Sequence, residues 1–158
     1  MNMRRILAAR ICAIADRRPP DFVIGGVENP YLRRWWAIPR NRWLNVYLHQ
    51  FLRPDDDRAL HDHPWLFNAS WLLNGSYVEF TLNGKQLLSE HQWKFRRGAA
   101  PHRVMLHMDG GDYRPAWTLF ITGPRVREWG FLCPRGWRHW KDFTNPADGG
   151  ATIGRGCE

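Results

Sequence analysis

His61-Asp62-His63-Pro64 lies near the middle of the chain, with eleven residues between His63 and Gly75. Residues two apart on an extended strand point to the same face, so His61 and His63 offer two imidazoles to one centre. Paired imidazoles suit a divalent transition metal. A solvated loop also carries such pairs, so the surrounding sequence decides between the two readings.

That surrounding sequence reads as a β meander. Residues 44–52 are strand-like, and two Asn-Gly pairs follow, Asn74-Gly75 and Asn83-Gly84. Each tolerates the positive φ values of a tight hairpin. Further strands are expected at 76–82, 90–96, 102–108, 117–122 and 127–132. Short strands at this spacing with no helical pattern between them imply an all-β barrel or sandwich. At 158 residues the chain has room for one domain with a sizeable core. Its 44% hydrophobic and 14% aromatic content, with ten tryptophans, excludes a disordered chain.

Upstream of the meander, residues 1–15 carry Leu7, Ile11 and Ile14 at helical spacing and read as a packing helix. Arg10 interrupts the apolar run, which leaves it shorter than an export signal needs. Arg18-Pro19-Pro20 ends the helix, and the stretch from Pro30 to Pro39 reads as irregular. The expected organisation is a helix and irregular arm over 1–43, a barrel over 44–144 and a mobile glycine-rich tail over 145–158.

Net charge is +8, from 23 Lys and Arg against 15 Asp and Glu. Arginines gather in the first third, interleaved with Trp35, Trp36 and Trp43, but no nucleic-acid motif accompanies them. Any nucleic-acid binding is therefore expected to be weak and non-specific. Three well-separated cysteines, Cys12, Cys133 and Cys157, do not make a complete disulfide framework, and a cytoplasmic home is the simplest expectation. Cys133 reads as an inert buried thiol. No stretch is apolar for long enough to span a bilayer. Phosphate-cradling glycine loops and zinc-ribbon spacings are absent.

With these residues in view, His61-x-His63, Asn68 and Gly75 resemble the first signature of the cupin superfamily, with Asn68 where a glutamate is usual. Pro101-His102 is similar to the histidine of the second signature. More narrowly, His61-Asp-His-Pro-Trp65, Gly75-x-Tyr-x-Glu79, Pro101-His-Arg103 and Arg127-Glu-Trp-Gly-Phe131 resemble a group of small cupin-like proteins of bacteria and phages. The resemblance implies a double-stranded β-helix barrel behind an N-terminal helix. It also implies one metal held by histidines and a carboxylate. It does not fix the reaction, since cupins include oxygenases, isomerases and non-catalytic members.

An amide is a poor transition-metal ligand, so Asn68 calls for a replacement. If Asn74-Gly75 form a two-residue hairpin loop, Ser70 pairs with Glu79, and Glu79 shares the inward face of Asn68. Glu79 is then either a ligand or the partner of an arginine such as Arg127. His102 begins a strand whose alternate residues, Val104 and Leu106, are apolar, so it faces inward as well. The expected metal ligands are His61, His63, His102 and Glu79. Tyr77, Trp129 and Arg127 are expected at the mouth, where Arg127 either holds an anionic substrate or is structural. His49 reads as a supporting residue. The metal is Fe, Mn, Ni or Zn. Two functional classes stay open: an oxygenase or isomerase acting on a small-molecule substrate, with Glu79, Arg127 and Tyr77 as catalytic residues, and a non-catalytic binding protein. The sequence is compatible with a homodimer.

Overall fold

Alternating burial along several strands sorts the side chains onto an inner and an outer face. β12, for example, alternates buried and half-buried residues over its whole length. In a computed structural model, described for residues 3–54 and 59–158, the chain opens with α1 (Met3–Cys12), β1 (Phe22–Ile24), β2 (Leu32–Trp36) and β3 (Asn45–Phe51). There follow β4 (Leu60–His61), β5 (Phe67–Asn74), β6 (Tyr77–Thr81), β7 (Gly84–Leu88), β8 (Trp93–Arg97) and β9 (His102–Leu106). The last part holds β10 (Met108–Asp109), β11 (Asp112–Tyr113), β12 (Ala116–Thr122), β13 (Gly130–Cys133), β14 (Gly136–His139) and α2 (Trp140–Phe143).

Two six-stranded antiparallel sheets result, ordered β1-β2-β3-β12-β5-β8 and β14-β13-β4-β9-β6-β7. The chain crosses between the sheets from β3 to β4, β4 to β5, β5 to β6, β7 to β8, β8 to β9, β9 to β12 and β12 to β13. This is the winding of a double-stranded β-helix. Leu32, Phe51, Leu72 and Ala116 of the first sheet pack against Tyr77, Leu88, Val104 and Leu106 of the second to form the core between them.

The crossing from β5 to β6 corrects the expected hairpin. β5 pairs with β12 and β8, while β6 pairs with β7 and β9, so Asn74-Gly75 turns a corner between sheets. Gly75 has φ +81, and a Cβ there would lie 2.6 Å from the Pro115 carbonyl oxygen, so the corner needs glycine twice over. At the second Asn-Gly pair a hairpin does form, but Thr81 pairs with Gly84, so Leu82 and Asn83 make the loop. The arm is also more regular than expected, because β1 and β2 extend the first sheet. The packing stripe runs through Ala8 and Ile11 of α1 and Ile14 just beyond it, against Trp35, Leu48, Trp71 and Leu73. Leu7 is largely exposed.

The tail folds back onto the barrel rather than hanging free. Thr144 pairs with Ile153, the Ala151 carbonyl accepts from Gly25, and Asp148 caps its own turn through Ala151 and Thr152. Cys133 is joined to Cys157 by a disulfide, which corrects its reading as a free thiol and leaves Cys12 as the free cysteine. Disulfides persist in oxidising compartments. The cysteine count therefore no longer argues for the cytoplasm. Among the described residues no helix is long and apolar enough to cross a membrane.

Cys157→Ser should lower the free energy of unfolding by about 3 kcal/mol, the chain-entropy value for a loop closed across 24 residues. Melts of the wild type with and without reductant, and of the variant, provide the check. Coincident melts would mean that the bond adds nothing to the native fold.

Candidate metal centre

His61 ends β4 and pairs directly with His102 at the start of β9, so backbone register alone brings these two side chains together. His63 follows two residues later, where its N–H bonds the Gly98 carbonyl. The three rings form a nearly even triangle, with centroids 5.2 Å apart for His61–His63 and 5.1 Å for each of the other two pairs. One ligating nitrogen from each lies within 4.8 Å of those of the other two. His63 Nε2 and His102 Nε2 are 2.9 Å apart. With metal–nitrogen bonds of about 2.1 Å, neighbouring ligands at right angles stand about 3.0 Å apart, so the pair fits two adjacent positions of one metal shell.

Asp62, between the two histidines, points the other way. It accepts from the Gly130 N–H and Trp137 Nε1 and pairs with Arg127 at 2.7 Å. The HDH triplet thus splits its duties by strand parity, two imidazoles facing inward and one carboxylate tying β13 and β14 to the base of the site. This also accounts for Arg127. Its guanidinium is taken up by Asp62 and by the His63 carbonyl, it ties down the loop of the histidines, and it is not among the residues that line the cavity.

Glu79 stands behind the triangle. Its Oε1 lies 2.6 Å from His102 Nδ1, on the far side of the ring from the other histidines. A carboxylate only accepts, so Nδ1 carries the proton and Nε2 presents its lone pair to the centre. Arg96 grips the same Oε1 through Nε and a terminal nitrogen, and Lys94 Nζ lies 3.5 Å from Oε2. Glu79 is fully buried. Burial alone would raise its carboxyl, but the bond from His102 and the charge of Arg96 outweigh that and hold it at about 2. Burial pushes His102 down to about 4 and His63 well below the usual imidazole value, so both are neutral and able to ligate near pH 7.

Asn68 is also fully buried, opposite Arg96 on β8 and Thr122 on β12, and unlike the three histidines it does not line the cavity. Its Oδ1 is 3.5 Å from Arg96 NH1, which also donates to Ser70 Oγ at 3.3 Å. Tyr77 is buried and meets Arg96 and Ser70 through its hydroxyl. Arg96 and Lys94 are the residues that sequence reasoning missed. β8 inverts the usual pattern, with Trp93 and Phe95 exposed and Arg96 inside.

The histidines open onto a cavity of about 920 Å³. Trp65, Phe120, Trp129 and Phe131 line it near the triangle, and Gly149 to Ile153 of the tail close part of its rim.

No protein-family model matches the sequence, and no functionally curated protein matches it. Solved structures do share its fold. A conserved protein with a double-stranded β-helix domain from Klebsiella pneumoniae is 14% identical, at TM-score 0.50, over 69% of this chain and 90% of that one. The DMSP lyase DddQ from Ruegeria pomeroyi is 17% identical, at TM-score 0.50, over 73% of this chain and 60% of that one. A cupin superfamily protein from Desulfitobacterium hafniense is 12% identical, at TM-score 0.47, over 59% and 77% respectively. The chain has a double-stranded β-helix fold, a barrel of two sheets behind one N-terminal helix.

Proposed function

We propose that this chain is a metal-dependent cupin enzyme acting on a small molecule, with His61, His63 and His102 as the ligands. The observation that carries this reading is the convergence of three imidazoles at the wall of an open cavity, one of them held by a buried carboxylate. Three protein ligands leave positions for water or substrate, the arrangement of a catalytic rather than a structural site. A non-catalytic binding protein is the competing reading. The ligand count favours the enzyme, since a structural metal site is closed by four protein ligands. Among the fold's neighbours, DddQ is a lyase, so this scaffold supports catalysis in at least one case.

A bound divalent metal would supply Lewis acidity toward an oxygen donor of the substrate, or a site for a second reactant. The chain's own residues do the rest. Glu79 keeps the proton on His102 Nδ1 and so fixes which nitrogen faces the cavity. Arg96 keeps Glu79 charged and in place. Phe120 and Trp65 pack against the His63 ring and keep water from that side. Glu79 therefore serves as a positioning residue. The reaction type, oxygenation or isomerisation, follows from the substrate.

Reconstitution with iron, manganese, nickel or zinc should give about one metal per chain by elemental analysis, and His61→Ala with His63→Ala should abolish it while leaving a folded, cooperatively melting protein. Substoichiometric binding of all four metals would refute the metal centre. Glu79→Gln should weaken metal affinity by roughly 10- to 100-fold, the usual cost of losing a partner behind a ligating histidine. Asn68→Ala should change it less than threefold. Competition with a chromogenic chelator, on variants matched for folded fraction, measures both, and equal losses would contradict the separate roles given to the two residues.

A further inference from the structure

Arg34, on β2, is a cation inside the cavity without a protein counter-charge. Its Nε donates to His49 Nε2 at 2.8 Å, and its guanidinium lies 5.1 Å from the centre of the Tyr47 ring. No carboxylate among the described residues pairs with it. The arginines around it are engaged: Arg96 with Glu79, Arg127 with Asp62, Arg18 with Asp21, and Arg125 with Glu128. Arg34 lines the cavity, and its two terminal nitrogens, four N–H donors, have no protein acceptor among the described residues.

Leaving a guanidinium so placed without an anion is costly, and the fold spends a buried histidine on fixing its direction. His49 is itself 3% exposed and lies in register between Arg34 and Thr118. Held through Nε and stacked on Tyr47, the guanidinium keeps its planar fork free, the geometry that grips carboxylate or phosphate oxygens in pairs. Charge around the rim agrees. Arg40, Arg42 and Arg125 also line the cavity, and no Asp or Glu does so among the described residues.

The rings between Arg34 and the histidines set the shape of what fits. His49 stacks on Phe120 at 5.0 Å, and Phe120 meets His63 at 6.0 Å, so one phenyl ring separates the two ends of the wall. Arg34, Phe120 and the three histidines line the same cavity, so a small aromatic acid alongside Phe120 has the cation toward one end and the histidines toward the other. We propose that Arg34 is the anion-binding residue of this cavity, taking the carboxylate or phosphate of a small flat organic acid whose other end faces His61, His63 and His102. The second half of that statement rests on the metal reading, and the first does not.

The test compares benzoate, phenyl phosphate and neutral benzamide by titration calorimetry on the full chain, both metal-loaded and stripped with a chelator. At least one of the two anions should bind ten-fold or more tightly than benzamide, with and without metal; the tighter of the two identifies the oxyanion. Arg34→Gln should remove that preference, Arg34→Lys should keep part of it, and Arg40→Gln should change it less than threefold. Equal binding of anions and benzamide by the wild type would overturn the proposal, whether or not the variants fold. So would a preference that survives Arg34→Gln. A chain that prefers anions but takes up no metal would refute the metal centre and leave Arg34 in place. One that takes up metal but shows no anion preference would do the reverse.

Discussion

The buried Glu79 carboxylate is the constraint on which the site depends. It lies between a guanidinium and an imidazole in a barrel interior with no solvent to share the load. Removing one partner from such a pair usually costs about 3–5 kcal/mol, because the remaining charge stays buried. The arrangement is therefore over-determined. Arg96 comes from the first sheet, Glu79 and His102 from the second, and Ser70, Asn68 and Tyr77 close around the guanidinium. The ion pair thus bridges the two sheets at the point where the histidines face the cavity. Fold and site share one interaction.

The same logic orders the rest of the wall. Asp62 points away from its two histidine neighbours and fastens the second sheet, and Arg127 completes that fastening. Of the three basic side chains Arg96, Arg127 and Arg34, two are matched to carboxylates within the chain. The third is matched only to His49. Charge that the protein does not neutralise itself is what a ligand can use.

Much of the fold was legible in the sequence because strand alternation and turn residues are local signals. The parity of His61 and His63 needs only a two-residue repeat, and the inward direction of His102 follows from Val104 and Leu106. The hairpin register fails because Asn74-Gly75 serves equally well at a corner between sheets, and what distinguishes the two uses is the Pro115 carbonyl, forty residues away in sequence. Arg96 was hidden by an inverted pattern, with exposed aromatics outside and charge inside, which composition cannot reveal. Arg34 fell in a stretch bounded by prolines that reads as loop, although β2 pairs along its whole length with β3. The Cys133–Cys157 bond depends on the tail folding back, a tertiary event without a periodic trace.

The central claim is that three imidazoles make one metal centre and that Glu79 stands behind His102 rather than on the metal. Anomalous diffraction from crystals of zinc-loaded protein tests it most directly. A single anomalous peak with His61, His63 and His102 nitrogens each about 2.1 Å away, and Glu79 still hydrogen-bonded to His102 Nδ1, is the predicted result. A peak ligated by the Glu79 carboxylate, or ordered zinc only at other sites, would contradict it.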